Sequence, residues 1–206
     1  MELIAQGAEA KIYREGNKII KERILKSYRL KEIDEQLRKS RTKREIKIMK
    51  KLENLIPIPK IYQTFEKCNK IVMEFIEGKK LAESLDKFSN KKRIEICKLI
   101  GTQVAILHNN NVIHGDLTTS NMILKENKVY FIDFGLSFVD IKVEHKAVDL
   151  HLLNQALESK HYKHYDSSFK AVLEGYKQCK DYESVMKRLE NVEKRGHYKN
   201  KKNKNS

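Results

Sequence analysis

Eight consecutive residues, His114-Gly115-Asp116-Leu117-Thr118-Thr119-Ser120-Asn121, followed by Asp133-Phe134-Gly135, hold the strongest chemical signal in this sequence. They fit the pattern HxDxxxxN followed by DFG, with six specified residues in order within 22 positions. That is far more specific than a lone glycine motif. The residue types suit phosphoryl transfer from ATP. A transferring phosphoryl group spreads negative charge over three oxygens, so a catalyst must chiefly position it and neutralise that charge. Magnesium takes hard oxygen ligands, which Asp133 and Asn121 can supply. Asp116 is then left to accept the proton of an attacking hydroxyl or water. Asp and Asn also cap loops, but two carboxylates and an amide at this spacing have little use as a structural device.

Such a site needs two further charges: a lysine on an inner strand that reaches the phosphates, and a helix glutamate that holds it. Lys21 closes the apolar strand Ile19-Ile20, and Lys26 is the alternative. Glu45 lies near the apolar stripe of a helix, where a buried carboxylate needs a cation. Glu32 and Glu35 share that helix. Pairing Lys21 with Glu45 satisfies both. A turn covering phosphates is expected at Gln6-Gly7-Ala8-Glu9-Ala10, just before the lysine strand. It has one glycine instead of three, and taken alone it is a plain hairpin turn. Met73-Glu74-Phe75-Ile76-Glu77-Gly78 is placed to hold adenine by its backbone, with Met73, Glu74 and Ile76 as contacts. An apolar strand edge is the plainer reading of that segment.

The elements that must carry these residues can be read from periodicity. Leu3-Ile4-Ala5, Lys11 to Arg14 and Lys18 to Lys21 read as strands, with a hairpin turn at Glu15-Gly16-Asn17. From about Leu30 to Leu55 the pattern is helical. Leu30, Ile33 and Leu37 share one face, and Glu45, Met49 and Leu52 continue roughly along it. Pro57 and Pro59 end this helix. Ile61 to Phe65 and Ile71 to Phe75 read as strands. Lys91 to Asn111 is helical, with Ile96, Ile100, Val104 and Leu107 on one side. Short strands follow near Met122 to Leu124 and Val129 to Ile132, and His145 to Arg195 looks helical throughout. With a break near Gly78, the expectation is an α+β chain of two lobes. Residues 1–77 form an antiparallel-sheet lobe with one long helix, residues 78–196 a reduced helical lobe, and residues 197–206 a basic, disordered tail.

Bulk composition narrows the class. The chain has 206 residues, 40% of them hydrophobic, enough to bury a core. No run of about 18 apolar residues exists to span a membrane, and the N-terminus lacks the basic region of a secretory signal. Cys68, Cys97 and Cys179 are odd in number and far apart, which excludes a disulfide framework and a zinc motif. Reduced thiols fit a cytoplasmic protein. His145, His151, His161 and His164 are too irregular for a metal site; His108 and His114 read as structural, His114 packing near Asp133. Forty-three Lys and Arg against 28 acids give a net charge of +15. Such a field attracts polyanions, nucleic acid first, although a lysine-rich solvated surface is the plainer explanation.

The two motifs resemble those of the protein-kinase-like superfamily, which implies a minimal two-lobed protein-kinase-like fold. Gln6 to Ala10, Lys21-x-Arg23 followed by Lys26-Ser27-Tyr28-Arg29, His114 to Asn121, and Lys146-Ala147-Val148-Asp149-Leu150 are similar to the small KEOPS-complex kinase, the PRPK family. The likeness runs from Leu3 to about Gly196. It implies ATP and magnesium as cofactors, and an atypical serine/threonine kinase or ATPase that autophosphorylates. It also implies support for threonylcarbamoyladenosine modification of tRNA. The implied partners are KEOPS subunits, chiefly the threonylcarbamoyl transferase subunit, to which some members are fused. The implied tRNA contact runs through the complex and the basic tail: residues 187–206 hold eight Lys/Arg and two Glu.

Departures from ordinary protein kinases matter. HRD has become His114-Gly115-Asp116. Only 13 residues separate Gly135 from Asp149, with no APE motif, which leaves little platform for a peptide. Thr118 replaces the catalytic-loop lysine, and Glu9 adds a negative charge to the phosphate turn. These features favour a slow ATPase or autokinase. The competing readings are a RIO-like or small-molecule kinase, and a non-catalytic scaffold or tRNA-binding module. Retention of Lys21, Asp116, Asn121 and Asp133 together argues against the scaffold.

Overall fold

The computed structural model describes residues 1–7, 9–65 and 69–202, with side chains to Lys194. Alternating, β-branched runs at the start of the chain make a five-stranded antiparallel sheet. Its members are β1 (Glu2–Gln6), β2 (Ala10–Glu15), β3 (Lys18–Arg23), β4 (Ile61–Phe65) and β5 (Lys70–Glu74), in the spatial order β1-β2-β3-β5-β4. A two-residue Gly16-Asn17 turn joins β2 to β3, with Gly16 at φ 59°, the backbone region open to glycine at no steric cost. Lys21 is paired with Ile12 on one side and Ile71 on the other. The lysine therefore sits on the central strand, where neighbours on both sides fix its direction.

Helix α1 (Lys31–Leu52) packs on this sheet through Ile46, Ile48, Met49 and Leu52. The apolar stripe expected along its whole length is a correction. Leu30, Ile33 and Leu37 are 70%, 50% and 37% exposed. At 3.6 residues per turn, Ile48 lies on the same line as Leu30, yet it is 2% exposed, so the buried face keeps its direction and it is the first turns of α1 that stay open.

After β6 (Lys79–Lys80) and the single turn α2 (Leu81–Ser84), the helical lobe begins with α3 (Asn90–Asn109), capped by Ser89 accepting from the Lys92 N–H. Short strands β7 (Val112–Ile113), β8 (Met122–Lys125), β9 (Lys128–Phe131) and β10 (Phe138–Val139) frame the loops between them. They pair as β6-β8-β9 and β7-β10. The stretch expected to be helical is so, as three helices: α4 (Val143–Lys160), α5 (Tyr165–Tyr176) and α6 (Tyr182–Lys202). The first break falls at His161, whose backbone leaves the helical region at φ −125°, ψ 35°. Helix α6 continues through Lys202, where composition alone placed a disordered tail from residue 197. Lysine is a good helix former and no proline interrupts the run; residues 203–206 lie outside the described residues.

Helices α3 and α5 cross at backbone contact. A Cβ on Gly101 would lie 1.9 Å from the Val172 carbonyl oxygen, and one on Gly175 would lie 2.0 Å from that of Lys98. One hydrophobic cluster runs from Ile46 and Ile71 on the sheet side through Leu81, Leu117 and Phe131 to Leu189 on α6. The loops between β7 and β10 are held against that core. Among the described residues no helix is long and apolar enough to cross a membrane. Cys97 and Cys179 are free and buried, and Cys68 lies outside the described residues.

Candidate active site

Period-two alternation on β3 sends Lys21 and Arg23 inward together. Both are buried, as is Glu45 on α1, which is 1% exposed. Lys21 Nζ donates to Glu45 Oε1 at 2.6 Å and to Asp133 Oδ1 at 2.7 Å. Arg23 Nη2 donates to Glu45 Oε2 at 2.6 Å. Two cations and two carboxylates thus interlock across the sheet, α1 and the Asp133-Phe134-Gly135 segment. Burial opposes the charged form of Lys21, but the Glu45 and Asp133 carboxylates outweigh it and raise its pKa above 10.5. Burial likewise works against ionised Asp133, yet Lys21 beside it and the Gly135 N–H hold its carboxyl below the usual range. The expected pairing of Lys21 with Glu45 is present. Lys26, Glu32 and Glu35 do not take part in it; Glu35 is instead paired with Lys39 on the same helix.

On the loop side, Asn121 Nδ2 donates to the Asp116 carbonyl at 2.9 Å and to Asp116 Oδ2 at 2.8 Å. Both partners are acceptors, which fixes the amide orientation and leaves Asn121 Oδ1 as the outward oxygen. A 3-10 turn at Thr119–Asn121 carries the amide. His114 links the two halves. Its Nδ1 accepts the Asp116 N–H at 3.3 Å, and its ring packs on Phe134 with centroids 5.0 Å apart. Burial pushes His114 below its ordinary 6.5, against the pull of Asp149, Asp133 and Asp116. It is structural, as its position near Asp133 led us to expect.

Gly115 explains the lost HRD arginine. It has φ 77°, and a Cβ there would lie 2.6 Å from the Leu136 carbonyl oxygen. This loop backbone is gripped by Asp149 of α4, whose oxygens accept the His114 N–H at 2.6 Å and the Gly115 N–H at 2.8 Å. Behind it, His108 Nε2 lies 3.3 Å from Asp149 Oδ2, and His108 Nδ1 lies 2.7 Å from the Tyr176 hydroxyl. His161 Nε2 lies 3.1 Å from Thr119 Oγ1. Arg23, Asp149, His108 and His161 were not read from the sequence as working parts of the site. The available signals were the alternation on β3 and one carboxylate in the apolar run Ala147, Leu150 and Leu153.

The phosphate turn closes with the Gly7 N–H donating to the Ala10 carbonyl at 3.0 Å; Gln6 ends β1, Ala10 starts β2, and Ala8 lies outside the described residues. Glu9 does not leave a bare charge at the turn. Its carboxylate is paired with Arg41 of α1 and lies 3.9 Å from Arg29. At the far end of β5, Met73 and Ile76 are buried. The Glu74 N–H donates to the Lys60 carbonyl at 2.8 Å and the Phe75 N–H to that of Asn17 at 2.9 Å. The structure therefore brings Lys21, Glu45 and Asp133 into direct contact, and Asp116 with Asn121. The turn and the Met73–Ile76 segment lie on the neighbouring strands β1, β2 and β5 and beyond.

A RIO domain matches residues 6–154. The chain is also 44% identical over 212 residues to the KEOPS complex subunit Bud32 of Pyrococcus abyssi, with 96% of each chain covered. The chain belongs to the Bud32 family of RIO-domain proteins. The Bud32 likeness extends to a probable bifunctional tRNA threonylcarbamoyladenosine biosynthesis protein of Methanococcus maripaludis. It is 37% identical over 201 residues, which span 95% of this chain and 36% of that protein. Among solved structures, the Rio2 kinase–ADP/Mg2+–phosphoaspartate complex from Chaetomium thermophilum superposes with a TM-score of 0.60 at 17% identity, covering 95% of this chain and 70% of that one. The minimal two-lobed protein-kinase-like fold expected from the motifs is the fold observed. RIO-like and KEOPS-like were set apart as rival readings of the sequence. They are not exclusive, because one RIO model spans a Bud32-type chain.

Proposed function

We propose that this chain is the atypical kinase or ATPase subunit of a KEOPS assembly, hydrolysing ATP in support of threonylcarbamoyladenosine formation in tRNA. One observation carries the catalytic half of this reading: Lys21 bridges Glu45 and Asp133 at 2.6 and 2.7 Å. A phosphoryl-transfer site needs both the lysine–glutamate pair and the DFG aspartate in place at once.

Each group has a role under this reading. Lys21, held by Glu45, meets the phosphates of ATP. Gln6, Gly7, Glu9 and Ala10 belong to the turn above them. Glu74 offers its carbonyl and Ile76 its backbone to adenine, behind Met73. The donor set fits magnesium: Asp133 presents a half-exposed carboxylate and Asn121 an amide oxygen fixed by Asp116. Magnesium on those oxygens would neutralise phosphate charge as the bond to the leaving oxygen breaks. Asp116 Oδ2, oriented by Asn121, accepts the proton of water or of a serine or threonine hydroxyl. With 13 residues between Gly135 and Asp149, a peptide platform is missing, so water or the chain's own hydroxyls are the favoured acceptors. The names of the relatives support the biological half: KEOPS subunit in one, and tRNA threonylcarbamoyladenosine biosynthesis in another of which this chain spans about a third. The partner is then the threonylcarbamoyl transferase subunit, with tRNA reached through the complex and the basic C-terminal residues, in the cytoplasm.

The test is reconstitution. The chain is added with the transferase subunit, the remaining KEOPS subunits, ATP and tRNA, and modified adenosine is measured. Full modification with wild type and its loss with Asp133→Ala supports the reading. Equal modification with both, or with the chain omitted, overturns it.

A further inference from the structure

Glu45 is shared by two buried cations where one would satisfy the phosphoryl-transfer requirement. Lys21 takes Oε1 and Arg23 takes Oε2, each at 2.6 Å. We infer that Arg23 is a positioning residue of the nucleotide site: it holds and neutralises Glu45 so that the charge of Lys21 remains available to the phosphates. The inference rests on the ATP-site reading above.

Arg23 occupies the centre of the site. It is 5% exposed and pairs in register with Ala10, the last residue of the phosphate turn. The next N–H, that of Ile24, donates to the Glu9 carbonyl at 3.1 Å. On the other side, a Cβ built on Gly135 would lie 3.2 Å from Arg23 Nη2 and 3.4 Å from Lys21 Nζ. The guanidinium therefore lies between the phosphate turn, Glu45 and the DFG glycine. Among the described residues its Nε is buried without a hydrogen-bond partner.

The charge count gives the reason. Lys21 and Arg23 balance Glu45 and Asp133. Remove Arg23 and the cluster carries one net negative charge beneath a polyanionic ligand, with Glu45 Oε2 deprived of its donor. Lys21 is then claimed by two carboxylates. Arginine suits the task because its charge persists at every working pH. Thr118, in place of the catalytic-loop lysine, adds to the demand for cations elsewhere.

Magnesium–ATP binding by titration calorimetry tests this on the full chain, with thermal melting to verify folding. Arg23→Met is expected to weaken binding about tenfold, because Lys21 is then held between two carboxylates and less of its charge reaches the phosphates; Arg23→Lys should recover most of the loss. In a Lys21→Met background the same Arg23→Met change should add less than about twofold, since residues acting through one another are non-additive. An unchanged dissociation constant with a lowered melting temperature would make Arg23 structural only and overturn the inference. So would an equal loss in both backgrounds. Absence of binding by the wild type would instead overturn the ATP-site reading, and the inference with it.

Discussion

Glu45 shows how far single residues can be read. An acid beside an apolar stripe needs a cation, and Lys21 was the nearest strand lysine that could supply one. The contact exists at 2.6 Å. The second cation was less legible, because Arg23 is one of 43 Lys and Arg residues and only strand alternation marks it as inward. Because both cations are buried, Glu45→Gln is expected to destabilise the protein by about 3 kcal/mol in urea unfolding, the usual cost of leaving a buried charge unbalanced. Gly115 makes a second prediction. Restoring the arginine with Gly115→Arg places a Cβ 2.6 Å from the Leu136 carbonyl at φ 77°. A loss of about 3 kcal/mol in the same assay is expected from strain and overpacking together. His114 makes a third. Its folded pKa is depressed below 6.5, so its contribution is complete above pH 6.5 and declines as pH falls through the folded value, because the unfolded ring takes up the proton first. Melting temperature against pH should fall below 6.5 in wild type, and His114→Asn should flatten that slope.

At the scale of elements, periodicity located the strands and α1 to within a few residues, since burial on one face repeats at two or 3.6 residues. Extent was harder. Leu30, Ile33 and Leu37 fit a helical face, yet they are exposed, because the sheet covers only the C-terminal half of α1. The breaks between α4, α5 and α6 escaped for a related reason. No proline or glycine marks His161, and its departure from the helix accompanies a buried contact with Thr119 that sequence spacing does not reveal. The α3–α5 crossing was also hidden, since a glycine inside a helix reads as a weak helix former until its neighbour is known. Gly101→Ala must push α5 away from a 1.9 Å contact. It is expected to cost on the order of 3 kcal/mol and to raise hydrogen exchange along both helices.

At the scale of the whole molecule, the HxDxxxxN and DFG pair was enough to assign the two-lobed fold, because those loops function only when a sheet lobe and a helical lobe face each other across them. What the motifs could not supply was the wiring beneath: Asp149, His108 and Tyr176 come from three helices and meet only in the folded chain. The net charge of +15 belongs to this scale as well, as a field that attracts polyanions in a salt-sensitive way. We propose that this chain turns over ATP with Asp133 and Asp116 at its centre. The most direct measurement is magnesium-dependent phosphate release from ATP, with the transferase subunit and tRNA added in turn, for wild type beside Asp133→Ala and Asp116→Ala. Release that is stimulated by partner or tRNA and abolished in both variants is the predicted result. No release by wild type under any of these conditions, with no detectable ATP binding, would contradict it.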